Sequence, residues 1–301
     1  MSIEKSKEKQ PVPSVVKPGT LYLVATPIGN LSDITQRAIE VLSGVDLIAA
    51  EDTRHSQRLL AHLGIKTRLQ ACHEHNEEQM TPRLLDELAA GRSIALVSDA
   101  GTPLISDPGY RLVSQAHERK IPVVPVAGVC AAIAALSAAG LATDRFSFEG
   151  FPPAKQGARL RFFEALAGEQ RTMIFYVSCH RIVETLKDMQ STFGDNRRLS
   201  FARELTKTFE TIKRATLAEL IPWVEADENQ RRGEIVLVVE GAPEEKADSS
   251  ETDRLLSILL EDLPVKQAVK LVVKITGEHK NEIYKRALEL RENKLSANKR
   301  K

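Results

Sequence analysis

Between Thr20 and about Phe148 the chain alternates short apolar runs with stretches of helical periodicity, and no other feature narrows its possible folds so far. Residues 21–25, 45–50, 94–97 and 122–126 are strand-like runs rich in Leu, Val, Ile and Ala. Between them lie amphipathic segments. Ile34, Ala38, Val41 and Leu42 fall on one helical face, with Ser32 or Asp33 as the cap. A helix from about Ser56 ends at Gly64, which reads as a C′ glycine. Another opens at Thr81-Pro82, with proline at the first helical position, and closes at Gly91. Further helices are expected near residues 110–119 and, rich in alanine, 129–139. Strand–helix–strand repeats need crossover connections, so the sheet they form is largely parallel and the class is α/β.

A second unit begins near Phe146. Its clearest strands are residues 173–177 and 235–239, with helices near 180–190 and 217–225 and a further strand over 199–203. A length of 301 residues is about twice the usual domain size, and 42% apolar residues suffice for two cores. Composition divides the chain into a disordered leader (1–18), an N-terminal α/β domain (19–145), a second α/β domain (146–242), an acidic linker with a short helix (243–263) and a basic helical segment (264–301). That last segment carries eleven Lys/Arg against four Asp/Glu, whereas the whole chain holds 42 against 41. The leader has no apolar h-region, and no run is long enough to cross a bilayer. Cys72, Cys130 and Cys179 are too few and too scattered for a disulfide framework, so the cytoplasm is the expected compartment.

The densest run of turn formers is Ser98-Asp99-Ala100-Gly101-Thr102-Pro103, continuing to Asp107-Pro108-Gly109. It follows an apolar strand and precedes a helix, which puts it at the carboxyl edge of the sheet, where open α/β folds bind ligands. A simple connection needs fewer residues than this. Thr26-Pro27-Ile28-Gly29-Asn30 follows the first strand and would lie at the same edge. The chain contains neither G-x-G-x-x-G nor G-x-x-x-x-G-K-[ST], so the usual glycine cradles for dinucleotides and phosphates are absent.

These segments, with Glu51-Asp52-Thr53-Arg54, Ala202-Arg203-Glu204-Leu205-Thr206-Lys207 and Gly233-Glu234, resemble the motifs of the ribosomal RNA small subunit methyltransferase I family, in that family's order. The resemblance runs from about Gly19 to Leu290 and places the chain in the tetrapyrrole methylase superfamily. It implies two α/β domains of tetrapyrrole methylase type with S-adenosylmethionine in the cleft between them, and a C-terminal helical segment. It also implies a homodimer that methylates the ribose 2′-oxygen of a cytidine in the 16S rRNA of the small ribosomal subunit. Cofactor contacts are implied at Pro27 and Ile28, at Asp99, Gly101, Thr102 and Ile105, at Cys130 and Ala131, and at Tyr176. Val177 stands where the family frequently has Glu, so that carboxylate is missing here.

Methyl transfer from a sulfonium asks for in-line positioning of the acceptor oxygen rather than for a metal. A ribose hydroxyl is a poor nucleophile, so a base or an electrostatic aid would help. The candidates are Asp52, Asp99, Asp107 and Glu204, with Arg54 or Arg203 to hold a phosphate or orient a carboxylate. Each alone also reads as a surface ion pair or helix cap, and the sequence does not choose among them. Cys72-His73-Glu74-His75 has no further ligand set at zinc spacing and reads as a polar loop. Arg159 and Arg161, Arg197 and Arg198, Lys213 and Arg214, Arg231 and Arg232 and the basic C-terminal segment are candidate phosphate contacts. Aromatic residues make up 5% of the chain, which fits recognition of folded RNA shape better than extensive base stacking. The competing functions are a methylase of small tetrapyrroles and a non-catalytic ribosome-assembly binder. Transfer of label to rRNA separates both from the first reading.

Overall fold

The computed structural model describes residues 16–243, 249–277 and 279–298. The chain divides into two units between Gly241 and Ala242. The larger unit holds two five-stranded sheets. In the first sheet, β1 (Leu21–Val24), β2 (Leu47–Ala50), β3 (Leu69–Ala71), β4 (Ile94–Val97) and β5 (Val123–Val126) are all parallel, in the order β3-β2-β4-β1-β5. Crossovers run through α1 (Gln36–Gly44), α2 (Thr53–His62), α3 (Glu77–Ala89) and α4 (Tyr110–Glu118). The inner strands β2 and β4 read as unbroken apolar runs because both faces are covered. Ile48, Ala50, Ala95 and Val97 meet Val41, Leu42 and Leu60 from α1 and α2. The alternate residues Leu47, Ala49, Ile94 and Leu96 meet Leu84, Leu88 and Leu112 from α3 and α4.

The second sheet contains β6 (Phe146–Gly150), β7 (Thr172–Ser178), β8 (Arg198–Arg203), β9 (Thr211–Thr216) and β10 (Glu234–Val239), in the order β6-β7-β10-β8-β9. β6 is parallel to β7 and the other pairs are antiparallel. One face packs on α6 (Gln156–Leu166), α7 (Ile182–Phe193) and α8 (Leu217–Ala226) through Phe163, Leu186, Met189, Leu220 and Val224. The other face, with Ile174, Ala202, Val236 and Val238, packs on Ala132, Ala135, Leu136 and Ala139 at and just beyond α5 (Ala131–Ala138). That contact explains the alanine richness of α5. The helix follows a strand of the first sheet and lies directly on the second, so small side chains let the two approach closely.

Several local expectations are corrected. The cap of α1 is Thr35, whose Oγ1 accepts from the Ala38 N–H at 3.1 Å, because residues 31–33 form a separate 3-10 turn capped by Asn30. α2 starts at Thr53, three residues before the expected point, on the Asp52 cap. α3 starts at Glu77, so Pro82 sits inside the helix rather than at its first position. Glu77 is buried there because its carboxylate accepts the Arg111 N–H (2.9 Å) at the start of α4. α6 and β9 were not anticipated. β9 is a polar edge strand, the composition that blunts an exposed edge, and α6 buries an arginine.

The smaller unit packs α9 (Ser249–Asp262), α10 (Val265–Thr276) and α11 (Lys280–Asn298) around Leu256, Val265, Val269, Val272, Ile283 and Ala287. The expected acidic linker thus includes a helix that belongs to this core. Gly277, at φ +73, ends α10 in the left-handed conformation that favours glycine. Arg286 on α11 pairs with Asp253 on α9. Most of the leader expected over residues 1–18 lies outside the described residues, yet Val16 packs on the first core and the Lys17 N–H donates to the Tyr22 hydroxyl at 2.8 Å. Among the described residues no helix is long and apolar enough to cross a membrane.

Candidate active site

Parallel pairing brings the carboxyl ends of β1, β2, β4 and β5 to one edge, and the loops leaving them form one wall of a cleft of about 520 Å³. Ile28 follows β1, Glu51 follows β2, Asp99 to Asp107 follow β4, and Cys130 and Ala131 follow β5. The opposite wall comes from the second sheet. Residues 176–180 end β7, residues 233–236 begin the antiparallel β10, and Phe151 follows β6. Of the residues implied as cofactor contacts, Ile28, Asp99, Gly101, Thr102, Ile105, Cys130, Ala131 and Tyr176 line this one cleft. Pro27 is in the same loop as Ile28 and does not line it.

The loop after β4 is held in an unusual shape. Thr26 and Gly101 exchange both backbone hydrogen bonds, at 2.9 and 3.0 Å. Gly101 has φ +82, the left-handed region that favours glycine, and a Cβ there would press on Ile28 Cγ2 at 3.3 Å. Leu104 and Ser106 also have positive φ, at +72 and +63. Non-glycine residues in that region cost of order 1–3 kcal/mol each, and such strain clusters where a backbone must meet a ligand. Thr102 Oγ1 donates to the Val129 carbonyl (2.9 Å), tying the loop to the entry of α5. The Tyr176 hydroxyl accepts the Ala132 N–H at 3.2 Å, joining β7 to the same helix start.

The lining holds Glu51, Asp99, Asp107 and Glu234 but no Lys or Arg. Burial pushes the Asp107 carboxyl up to about 6, with a further push from Asp99 that a Ser98 hydrogen bond opposes. Burial likewise raises Glu51, helped by the charges of Asp107 and Asp99. Burial also moves the Tyr176 hydroxyl well above its ordinary value, which keeps it protonated. Glu51 and Asp107 are thus raised by partial burial beside neighbouring carboxylates.

Of the catalytic candidates, Asp99 and Asp107 line the cleft, whereas Asp52, Arg54, Arg203 and Glu204 do not. Asp52 caps α2, its carboxylate accepting the Arg54 N–H at 2.8 Å, while its own N–H donates to Asp99 Oδ1 at 3.0 Å. The Arg54 N–H first, then its charge, holds Asp52 below the usual carboxylate range, and the Arg54 side chain is exposed. Arg203 is buried, with Nε on Gln230 Oε1 (3.2 Å) and a terminal nitrogen on the Phe209 carbonyl (3.0 Å), which leaves its guanidinium engaged inside the fold. Glu204 has φ +52 and accepts from Lys207 Nζ (2.7 Å) and the Glu234 N–H (3.0 Å). Lys207 also reaches Glu234 Oε2 at 2.9 Å.

Three sequence motifs meet at that last cluster. A Cβ on Gly29 would lie 2.3 Å from Lys207 Cγ, and a Cβ on Gly233 would lie 2.3 Å from Glu204 Oε1. Burial favours neutral forms of Glu204 and Lys207, but their pairing outweighs it, lowering the carboxyl and raising the ammonium. The cluster therefore clips the β1 loop to the second sheet at the edge of the cleft, through Glu234.

Sequence reasoning missed Glu51, Glu234 and Phe151 as wall residues and left Asp107 as one candidate among several. Glu51 was findable, since it ends a fully buried strand at the ligand edge of the sheet. Two expected phosphate contacts are corrected. Arg159 is 1% exposed and bonded to Asp188, and Arg197 donates to the Glu240 and Ala167 carbonyls beside the Phe193 ring. His73 and His75 form an edge-on pair 6.0 Å apart, and among the described residues no group of His, Cys, Asp and Glu could hold a metal ion.

Residues 20–221 match the sequence model described as Tetrapyrrole (Corrin/Porphyrin) Methylases, and residues 246–291 match the RsmI C-terminal HTH domain. The chain is 56% identical over 274 residues to the ribosomal RNA small subunit methyltransferase I of Pseudomonas aeruginosa, covering 90% of this chain and 97% of that protein. It is 55% identical to the protein of the same name from Escherichia coli O157:H7, over 90% of this chain and 95% of that one. Among solved structures it is similar to diphthine synthase (TM-score 0.58, 15% identity, covering 73% of this chain and 90% of that one). It is also similar to uroporphyrin-III-C-methyltransferase from Thermus thermophilus (TM-score 0.54, 22% identity, 74% and 94%). At these identities the two structures speak to the fold alone.

Proposed function

The chain belongs to the ribosomal RNA small subunit methyltransferase I family, and from that premise we propose that it transfers a methyl group from S-adenosylmethionine to the ribose 2′-oxygen of a cytidine in 16S rRNA, in the cytoplasm and as a homodimer. The observation that carries the cofactor is charge. Glu51, Asp99 and Asp107 on the first wall have no Lys or Arg beside them on the lining, which suits a cationic ligand. S-adenosylmethionine, when bound, supplies an electrophilic methyl on a sulfonium. Glu51, Asp99 and Asp107 would balance its positive charge, and the tight Gly101–Ile28 approach gives it a backbone cradle. Asp107 is the group best suited to take the proton from the acceptor hydroxyl. A carboxyl poised near 6 is mostly ionised at neutral pH yet more basic than an ordinary one. Asp52 and Glu204 then act as positioning residues, through Asp99 and Glu234. For the dimer, Ile133 on α5 is 51% exposed and offers an apolar contact, and sedimentation distinguishes it from a single 33.3 kDa chain.

Substrate binding is proposed to draw on the smaller unit. Lys266, Lys270, Lys274 and Lys280 are exposed on α10 and α11, alongside Leu271 and Ile275, while Val269, Val272 and Ile283 are buried. Changing Lys270, Lys274 and Lys280 to Gln spares the buried face. The triple variant should bind 30S subunits more weakly, with its log–log salt dependence flattened by roughly one unit for each phosphate that is no longer neutralised. Unchanged affinity and slope would show that these lysines touch no phosphate. The reaction itself is tested by incubating the protein with tritiated S-adenosylmethionine and naked 16S rRNA, 30S subunits, 70S ribosomes or a uroporphyrin-type tetrapyrrole. Label on a cytidine ribose is the expected result. Label on the tetrapyrrole alone, or on nothing, would overturn it.

A further inference from the structure

A second kind of ligand contact is built into the cleft at Phe151. β6 pairs with β7 in regular register up to Phe148 opposite Ile174, and then Gly150, not Glu149, sits opposite Phe175. Glu149 is therefore the extra residue of a bulge, and Gly150 completes it at φ +67. In a regular strand, residues three apart point to opposite faces. Here Phe148 and Phe151 both touch Tyr176, edge-on, with centroids 4.9 and 5.5 Å away. The bulge has turned Phe151 to the cleft side, which is what bulges beside active sites do. Pro152 and Pro153 then fix the chain beyond it. A Cβ on Gly150 would stand 3.7 Å from Ser106 Oγ, so this turn is held against the strained loop after β4.

The result is a phenyl ring on the wall of the cleft that remains 56% exposed. Tyr176 backs it and is itself fixed by the Ala132 N–H. Ile105, on the lining of the same cleft, is 37% exposed. The Phe151 ring is therefore open to a flat group that enters the cleft.

Resting on the function proposed above, we propose that Phe151 is the stacking platform for a nucleobase of the substrate RNA, at or next to the methylated nucleotide. A 2′-hydroxyl within a folded helix cannot reach a recessed cleft unless its nucleotide is splayed out, and a splayed base needs a π-face to replace the stack it leaves. Phe151 supplies that face without hydrogen bonds. It fixes where the ribose sits and leaves base identity to other contacts.

The test compares Phe151→Ala, Phe151→Leu and Phe151→Trp with the wild type, measuring methylation of 30S subunits and, by calorimetry, affinity for S-adenosylmethionine. Loss of one stacked base should lower kcat/KM for RNA roughly 5- to 100-fold in Phe151→Ala. Phe151→Leu should be nearly as impaired, since it keeps apolar bulk but has no ring, and Phe151→Trp should keep most of the activity. Cofactor affinity should hold within about twofold in all three. If Leu restores activity, the ring only packs, and the platform is refuted. If Ala weakens the cofactor as much as it impairs RNA methylation, the ring covers the cofactor instead. A wild type that labels no RNA refutes the function and the platform together, whereas an active wild type with an unimpaired Phe151→Ala refutes the platform alone.

Discussion

Asp188→Ala should destabilise the larger unit by about 3–5 kcal/mol, the cost of leaving a buried charge without its partner. Arg159, 1% exposed on α6, donates from Nε to Asp188 Oδ2 at 2.7 Å on α7, and Asp188 is itself buried. Its terminal nitrogens also hold the Ala154 carbonyl (3.1 Å) and, more loosely, Glu184 (3.5 Å), which is mostly exposed and a poor substitute. Removing the carboxylate also breaks the hydrogen bond that the exposed Gln156 Nε2 donates to the other Asp188 oxygen at 3.1 Å. Chemical denaturation should show the loss as a lower midpoint at an unchanged slope. The double variant Arg159→Met, Asp188→Leu removes both charges and should recover most of it, as apolar replacement of buried pairs often does. Because Arg159 grips the backbone just beyond Phe151, the single variant should also impair RNA methylation, whereas the double variant tells whether packing alone can hold that segment. A destabilisation below about 1 kcal/mol would mean that Glu184 takes over the charge, and the pair would lose this role.

Arg159 also shows where sequence reading stops. Written as Arg159-Leu160-Arg161 it looks like a solvated basic face, and only the packing of α6 on α7 turns one arginine inward. Four strands of the first sheet were legible as short apolar runs between helical stripes, clearest at β2 and β4, which are buried throughout; the edge strand β3, Leu69-Gln70-Ala71 and only half-buried, was not. β9 was not legible, since an edge strand such as Thr211–Thr216 shows the polar composition of a loop. The cleft was legible on its first wall, where parallel topology alone sends every loop to one edge. On the second wall only Tyr176 was expected, through the family resemblance; the rest depends on which face of the second sheet α5 covers, and on a one-residue bulge at Glu149 that no periodicity announces. The motifs around Gly29, Glu204 and Gly233 read in the sequence as separate segments. Their proximity, visible only in three dimensions, makes them one clip.

Replacing Asp107 with Asn should lower kcat for RNA methylation by about 10²–10⁴-fold, the range a positioned general base supplies, while raising the stability of the ligand-free protein. The two effects have one origin. Asp107 is held up to about 6 because burial and the neighbouring Asp99 both disfavour its charge. Its folded pKa is therefore above its unfolded value near 3.8. Its contribution to stability is most favourable below pH 4, falls as pH rises between about 4 and 6, and is an unrelieved cost at neutral pH. Asn removes that cost and, with the shift discounted for the solvent that the half-buried carboxyl still meets, should stabilise the fold by on the order of 1 kcal/mol at pH 7. The advantage should shrink as pH falls through 6 towards 4, where the wild-type carboxyl becomes neutral as well. For the wild type, kcat/KM should rise with pH through about 6, as the base ionises in the free enzyme. A cation bound beside the carboxylate favours its charged form, so the same limb in kcat should lie at lower pH. Enzymes commonly hold a functional group at the expense of the fold, and here calorimetry and the pH–rate profile measure both sides of that exchange on one residue. An Asn variant that is stabilised yet fully active would leave Asp107 as an unneutralised charge with no part in proton transfer. A variant that is inactive but also less stable would place it among the residues that hold the β4 loop in shape.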